Sequence, residues 1–357
     1  DPTYGNALTE TDQSLSGGNW TTYRVREYNY YPNDSANRYL ISLPARIRNL
    51  DGANNVLSST LFLYDNAGGY TTPPANGVLT AIRKRVSTDG NQWSQATYGY
   101  DTWGNRVSET TYSGYGAYYS APTTGARTTT TTYDPAFHIY PISQTTPPTQ
   151  NAPQGLTTTW MYDYNGDGVS DYILGVPTKE TDPNGNAVTA QYDSFGRLIK
   201  LVRPGDDSAS PTISIAYTNG FPFTTTITQK INSIQSFTIQ RIYDGMGRQT
   251  RVISGGVTSD TVYVSPTETW QSTPYTSGET VYYTKTIANP SANTVTVIAP
   301  DGTSTTTTQN GLTTAFTDAR GNLTISTSDV WGRVVSVDVP EGPDVAYTYD
   351  EMNRLKE

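Results

Sequence analysis

The sequence predicts an all-β protein: a long strip of consecutive antiparallel β-hairpins that coils into a solenoid or hollow shell. Three observations carry this expectation. A short turn phrase recurs along the chain, the stretches beside it alternate apolar and polar residues, and the composition favours strands over helices. The 357 residues include 28 Tyr, 31 Gly and 22 Pro. Tyr and the abundant Thr fit a pleated surface, whereas Gly and Pro leave few windows for three uninterrupted helical turns.

The turn phrase is an aromatic or small residue, then Asp, two variable residues, Gly, and Arg or Asn. Clear copies are Tyr100-Asp101-Thr102-Trp103-Gly104-Asn105-Arg106, Tyr192-Asp193-Ser194-Phe195-Gly196-Arg197 and Tyr243-Asp244-Gly245-Met246-Gly247-Arg248. Thr317-Asp318-Ala319-Arg320-Gly321-Asn322 and Ser328-Asp329-Val330-Trp331-Gly332-Arg333 lack the Tyr. Tyr64-Asp65-Asn66-Ala67-Gly68, Tyr133-Asp134-Pro135 and Tyr349-Asp350-Glu351-Met352-Asn353-Arg354 are looser. A type I turn favours Asp first and Gly fourth, and the Asp carboxylate accepts amide protons two residues on. The Gly supplies the positive φ that a hairpin needs, and Asn353 is the other residue type that tolerates it.

The flanks read as strands. Ile213, Ile215 and Tyr217 alternate with Thr212, Ser214 and Ala216, and Val335, Val337 and Val339 with Ser336 and Asp338; Val345, Tyr347 and Tyr349 follow the same period. Thr tracts at 128–132, 157–159, 224–226 and 305–308 fit strands or low-complexity linkers; each lies upstream of a turn signal, which favours strands. Strands of ordinary length with ordinary connections give about 30 strands, and a strip that long must curl. Residues 1–99 carry a weak repeat signal and read as divergent N-terminal β repeats, and 100–357 as the regular strip, cut in mid-repeat from a larger protein.

Charged residues are only 15% of the chain, hydrophobic ones 34%, and the net charge is −9. Low charge argues against ordinary disorder, so the aromatic side chains are expected to supply the buried surface. An acidic chain with no basic stripe disfavours nucleic-acid binding and attachment to anionic lipid. No apolar run approaches the ~20 residues of a membrane-spanning helix. The chain has no cysteine, which removes disulfide and thiol chemistry. The Thr, Tyr and Gly bias suggests an extracellular or cell-surface protein.

At this point the residues resemble the Rhs/YD-repeat family. The segment 192–206, YDSFGRLIKLVRPGD, is similar to the family repeat, and 181–186, TDPNGN, to its lead-in. The family includes bacterial Rhs and wall-associated toxins, the BC components of insecticidal toxin complexes, and teneurins. The resemblance implies a β-strip spiralling into a hollow shell that often encloses a C-terminal toxin. The C-terminal core and self-cleaving aspartate motif of fuller members are not recognisable here.

With one histidine, His138, and no cysteine, a histidine-based zinc cluster lacks material, and a Ser-His-Asp triad would have to use His138 with no G-x-S-x-G elbow in the sequence. The repeated Asp residues are explained by turns, so a glycosidase carboxylate pair is not required. The sharpest chemical motif is Asp163-Tyr164-Asn165-Gly166-Asp167-Gly168-Val169-Ser170-Asp171, which has the residue order of a calcium loop without its position-twelve Glu. It is expected to bind one structural Ca²⁺ through Asp163, Asn165, Asp167, the Val169 carbonyl and Asp171; the alternative is a hydrated polar hairpin tip. Asp182-Pro183-Asn184-Gly185-Asn186 is expected to be a turn only. Asn19-Trp20-Thr21, Asn33-Asp34-Ser35 and Asn322-Leu323-Thr324 are sequons.

The functional expectation is a non-catalytic extracellular scaffold that encloses or presents another segment, partnered by the rest of its own polypeptide or by further copies of itself. The alternative is a fibre or adhesin of stacked strips, with carbohydrate as a further candidate partner. An enzyme ranks last.

Overall fold

The computed structural model describes residues 4–16, 19–31, 40–67, 73–87, 89–329, 331–340, 342–350 and 353–357. The sequon at Asn33 and parts of the looser repeat copies (Gly68, Glu351, Met352) lie outside them, as does Val330. The described residues form 26 strands and no helix. Among the described residues the strand pairings are antiparallel and join strands that follow one another in the chain, as in Ile213–Tyr217 with Phe223–Lys230, and Phe223–Lys230 with Ser236–Tyr243. The structure is thus the expected strip of hairpins. Each Thr tract lies in a strand: Ala126–Tyr133, Thr157–Met161, Phe223–Lys230 and Ser304–Asn310.

The chain forms two compact units, Asp1–Ala187 and Val188–Glu357.

In the first unit the strands Val56–Tyr64, Leu79–Arg85 and Trp93–Tyr100 carry alternating burial. Leu63 faces Ala81, and Leu61 faces Arg83, which in turn faces Gln95. Leu61, Leu63, Ala81 and Trp93 are buried, and so are the polar Arg83 and Gln95, whose side chains hydrogen-bond to each other. The turn-rich segment 113–125 covers this face. Gly116 pairs its backbone with Trp93, the Tyr118 ring meets the Trp93 ring edge-on at 5.1 Å, and the Tyr118 carbonyl accepts from Arg83 Nη1 at 3.2 Å. A second cluster joins Tyr31, Ala45 and Tyr64, with the two rings edge-to-face at 5.4 Å. Burial, then the neighbouring Tyr64 and Asp65, push the Tyr31 phenol up to about 12.

The second unit is built differently. Among its described residues Val202 is the one buried apolar side chain. In its C-terminal strands Val295, Thr307, Phe316 and Thr324 are successive cross-strand neighbours on one face; Thr296, Thr306, Thr317 and Leu323 occupy the other. Val295 and Phe316 are exposed on the first face and Leu323 on the second. An antiparallel sheet ordinarily packs one face on a core; here, among the described residues, each face of these strands carries an exposed apolar side chain.

Candidate functional site

The repeated turn is the chemical unit of this chain. In each regular copy the Asp carboxylate accepts two amide protons, from the residues two and four positions on: Phe195 and Arg197 on Asp193 at 2.9 and 3.0 Å, Met246 and Arg248 on Asp244, Trp331 and Arg333 on Asp329, Trp103 and Asn105 on Asp101, Arg320 and Asn322 on Asp318. The Gly amide closes the turn on the Asp carbonyl, as Gly196 does on Asp193 at 2.9 Å. Gly104, Gly196, Gly247, Gly321 and Gly332 have φ between 75° and 88°, as expected. At Gly104, Gly247, Gly321 and Gly332 a Cβ would meet nothing within 4 Å, so backbone conformation rather than space demands glycine there. Asp182, with amides of Asn184 and Asn186, forms the same turn.

The residue after the Gly divides the turns into two kinds. Where it is Asn, its amide group donates back to the Asp: Asn105, Asn186 and Asn322 each bond their own turn aspartate at 2.9 Å. This side-chain bond is the leading cause that lowers the Asp101, Asp182 and Asp318 pKa values. Where it is Arg, the guanidinium bonds the Asp and also lies over an aromatic ring two strands on: Arg197 over Tyr217 at 4.3 Å, Arg248 over Tyr263 at 4.2 Å, Arg333 over Tyr349 at 4.5 Å. At Asp193 and Asp244 burial alone raises the carboxyl pKa; the amide and guanidinium donors outweigh it and lower the pKa.

The tyrosines complete the arrangement. A Tyr at or near the end of a strand donates its hydroxyl to the first carbonyl of the strand before it: Tyr217 to Leu198 at 3.1 Å, Tyr263 to Gln249 at 3.2 Å, Tyr349 to Val334 at 2.8 Å, Tyr100 to Leu79 at 2.8 Å, Tyr162 to Pro141 at 3.0 Å. In the Arg turns that carbonyl belongs to the residue after the Arg. One ring is therefore gripped twice, by its hydroxyl and by its face, and each turn is stapled to the following hairpin. The hydroxyl bond depends on register and has no local sequence signal.

Longer loops reuse the same aspartate. Asp134, fully buried, accepts amides of Ala136, Phe137, Ile139 and Tyr140 at 2.5–3.0 Å. Burial pushes its carboxyl up, but the amide bonds prevail and hold it at about 2. Asp65 likewise gathers the amides of Asn76, Gly77 and Val78. His138 stacks on Trp103 with centroids 4.2 Å apart; it sits in the loop after Asp134, with φ 60°.

The aspartate loop brings its expected donors into one tip, where the loop's own amides take up their oxygens. Asp163 accepts from Gly166 and Gly168, each at 2.7 Å. Asp171 accepts from Tyr164, Asn165 and Ile173, Asp167 from Val169, and Asn165 Oδ1 from Asp167. Among the described residues no group of three or more His, Cys, Asp or Glu is gathered to hold a metal ion. The Val169 side chain is exposed. The loop is anchored at its far end by Tyr172, which takes φ 58° and stacks on Tyr140 at 5.2 Å beside the buried Tyr162. Sequence reasoning missed Tyr172, because a bulky residue at positive φ has no pattern to announce it.

No family model matches the chain, and no curated protein matches it. Several solved structures are similar to it. They include TcdB2-TccC3-Cdc42, at 12% identity over 97% of this chain and 20% of that one with TM-score 0.28. TcdB2-TccC3-TEV matches at 13% identity over 93% and 20% with TM-score 0.30. A Photorhabdus luminescens Tc holotoxin pore matches at 13% over 97% and 18% with TM-score 0.28. The chain thus spans about a fifth of the length of those chains.

Proposed function

We propose that the chain is a non-catalytic extracellular scaffold: a YD-repeat wall segment of a large secreted or cell-surface Rhs-type protein, enclosing or presenting another segment. The observation that carries this reading is the second unit, a succession of stapled hairpins with both faces only half covered. Such a sheet has rigidity without a core of its own, and its exposed apolar residues are suited to being covered by another segment. Hydroxyl-radical footprinting tests it. In the parent polypeptide, oxidation of Val295 and Phe316 on one face, or of Leu323 on the other, falls relative to the isolated chain while the remaining face stays reactive. Equal labelling of both faces in both samples overturns the proposal. If instead the isolated chain sediments as a concentration-dependent polymer, the fibre reading replaces it.

Calcium at the loop 163–171 is a separate proposal. A bound ion has to displace the amide donors that Asp163 and Asp171 now accept. Calorimetric titration with Ca²⁺ decides it: heat and a raised melting temperature that vanish in Asp167→Ala support the site, and their absence removes it.

A further inference from the structure

Five peptide steps in the chain place Gly directly after Asn: Asn76-Gly77, Asn165-Gly166, Asn184-Gly185, Asn219-Gly220 and Asn310-Gly311. At such a step the Gly amide nitrogen can add to the Asn side-chain carbonyl carbon, because no Cβ on the Gly hinders its approach. A nitrogen whose proton is already held by an acceptor must first give up that bond. Three of the five are held in this way. The Gly77 amide donates to Asp65 Oδ2 at 3.1 Å, and the Gly166 amide to Asp163 Oδ1 at 2.7 Å. The Gly185 amide closes its turn on the Asp182 carbonyl at 3.0 Å.

The Gly220 and Gly311 amides have no bond to another described residue. Their asparagines differ. Asn310 ends the strand Ser304–Asn310 and pairs with Thr313, so the ladder keeps its backbone extended. Asn219 belongs to no strand and stands exposed in the tip between Ile213–Tyr217 and Phe223–Lys230. That tip is fixed at its base, where the Thr218 amide donates to the Thr224 carbonyl at 3.0 Å and the Thr224 amide to Thr218 Oγ1 at 2.7 Å. Arg197, from the preceding turn on the same edge, donates from Nη2 to Asn219 Oδ1 at 3.1 Å. A guanidinium on that oxygen draws electron density from Cγ and stabilises the oxyanion that forms when a nitrogen adds there.

We propose that Asn219 is a site of self-modification, converted through a succinimide to aspartate and isoaspartate with Arg197 assisting. The bond between Gly220 N and Asn219 Cγ forms, and the Gly220 amide proton passes to solvent hydroxide. The Cγ–Nδ2 bond breaks, and Nδ2 takes a proton from water and leaves as ammonia. Water then opens the ring. Attack at Cγ leaves an ordinary Asp at this position, and attack at the main-chain carbonyl carbon leaves an isoaspartyl link. Either product puts a carboxylate where Arg197 now meets a neutral amide. Arg197 already bonds Asp193 through Nε at 2.7 Å, so its guanidinium comes to join two carboxylates from neighbouring tips in charge-assisted bonds.

Incubation of the full chain at mildly alkaline pH, followed by peptide mapping in a mass spectrometer, tests the proposal. Methylation by a protein isoaspartyl methyltransferase serves as the probe for the isoaspartyl product. In the folded chain Asn219 is expected to convert at least about fivefold faster than Asn76, Asn165 or Asn184, and ahead of Asn310. In urea the five steps are expected to converge on similar rates, since their protection is lost. A Cβ at Gly220 meets nothing within 4 Å, so Gly220→Val is expected to fold. By crowding the attacking nitrogen it should slow Asn219 about tenfold or more. Arg197→Gln should slow it about twofold or more, and where that change disturbs the turn, Gly220→Val still reports. Conversion of Asn219 no faster than Asn184 in the folded chain overturns the proposal. So does an Asn219 rate untouched by Gly220→Val, or a product at this position with no isoaspartate.

Discussion

In the first unit the segment 113–125 contacts Trp93 and Arg83 on a sheet face that also carries the buried Leu61 and Leu63. In the second, strands with the same hairpin order and the same turn aspartates bury little apolar surface, and the Arg–Tyr staples connect consecutive hairpins instead. Hydrophobic burial is the larger and less directional of the two sources of stability; staples and turn bonds are individually small but repeat. The same turn grammar can therefore support a segment with a core and a segment without one. The second needs its register held by every hairpin.

The largest expected contrast comes from truncating a core residue. Leu61→Ala is expected to cost about 2–5 kcal/mol in urea unfolding, and Phe316→Ala less than about 1 kcal/mol. Equal costs would mean that the second unit has a hidden core, and the contrast between the units would fail.

The two uses of the turn aspartate should separate next. Asp134→Ala strands several buried amides and is expected to cost about 3 kcal/mol or more; Asp318→Ala, in an exposed regular turn, about 1 kcal/mol. Acid adds a check on Asp134. Its folded pKa of about 2 lies below the ordinary 3.8, so its stabilisation is complete above 3.8 and fades as pH falls from there towards about 2. Asp134→Asn should lose that part of the acid dependence, as read from melting temperature against pH.

Glycine at the turn is expected to matter at an intermediate level. Gly196, with φ 75°, replaced by Val should lower stability by more than about 1 kcal/mol. An unchanged melting temperature would remove the turn assignment. The smallest effect is at the staple: Arg333→Lys keeps the charge but loses the planar stack on Tyr349 and should cost about 0.5–1 kcal/mol. Asn322→Ser removes the bond within one turn and should leave the neighbouring hairpin's amide exchange unchanged, whereas Arg333→Lys should speed exchange in the hairpin of Tyr349. Identical exchange patterns would show that the two turn kinds are equivalent.

The hairpin order, the turn chemistry and the need for glycine at Gly104, Gly196, Gly247, Gly321 and Gly332 are legible in the amino-acid sequence alone. Each of these is local: an aspartate reaches amides two and four residues on, and period-two alternation marks a strand whatever it packs against. Even the buried Asp134 falls within the repeated Tyr-Asp phrase. The placement of the aromatic rings is set by long-range packing instead. Tyr31, Tyr64, Trp93 and Tyr162 are buried, as the composition led us to expect of such rings, yet Trp103 and Phe195 stand exposed at turn tips. Tyr217, Tyr263 and Tyr349 are neither, because they cap carbonyls and carry guanidinium groups. Those outcomes depend on cross-strand register and on whether a distant segment covers the face. A side chain's partners across a sheet are set by pairing between strands, which no local pattern of residues encodes.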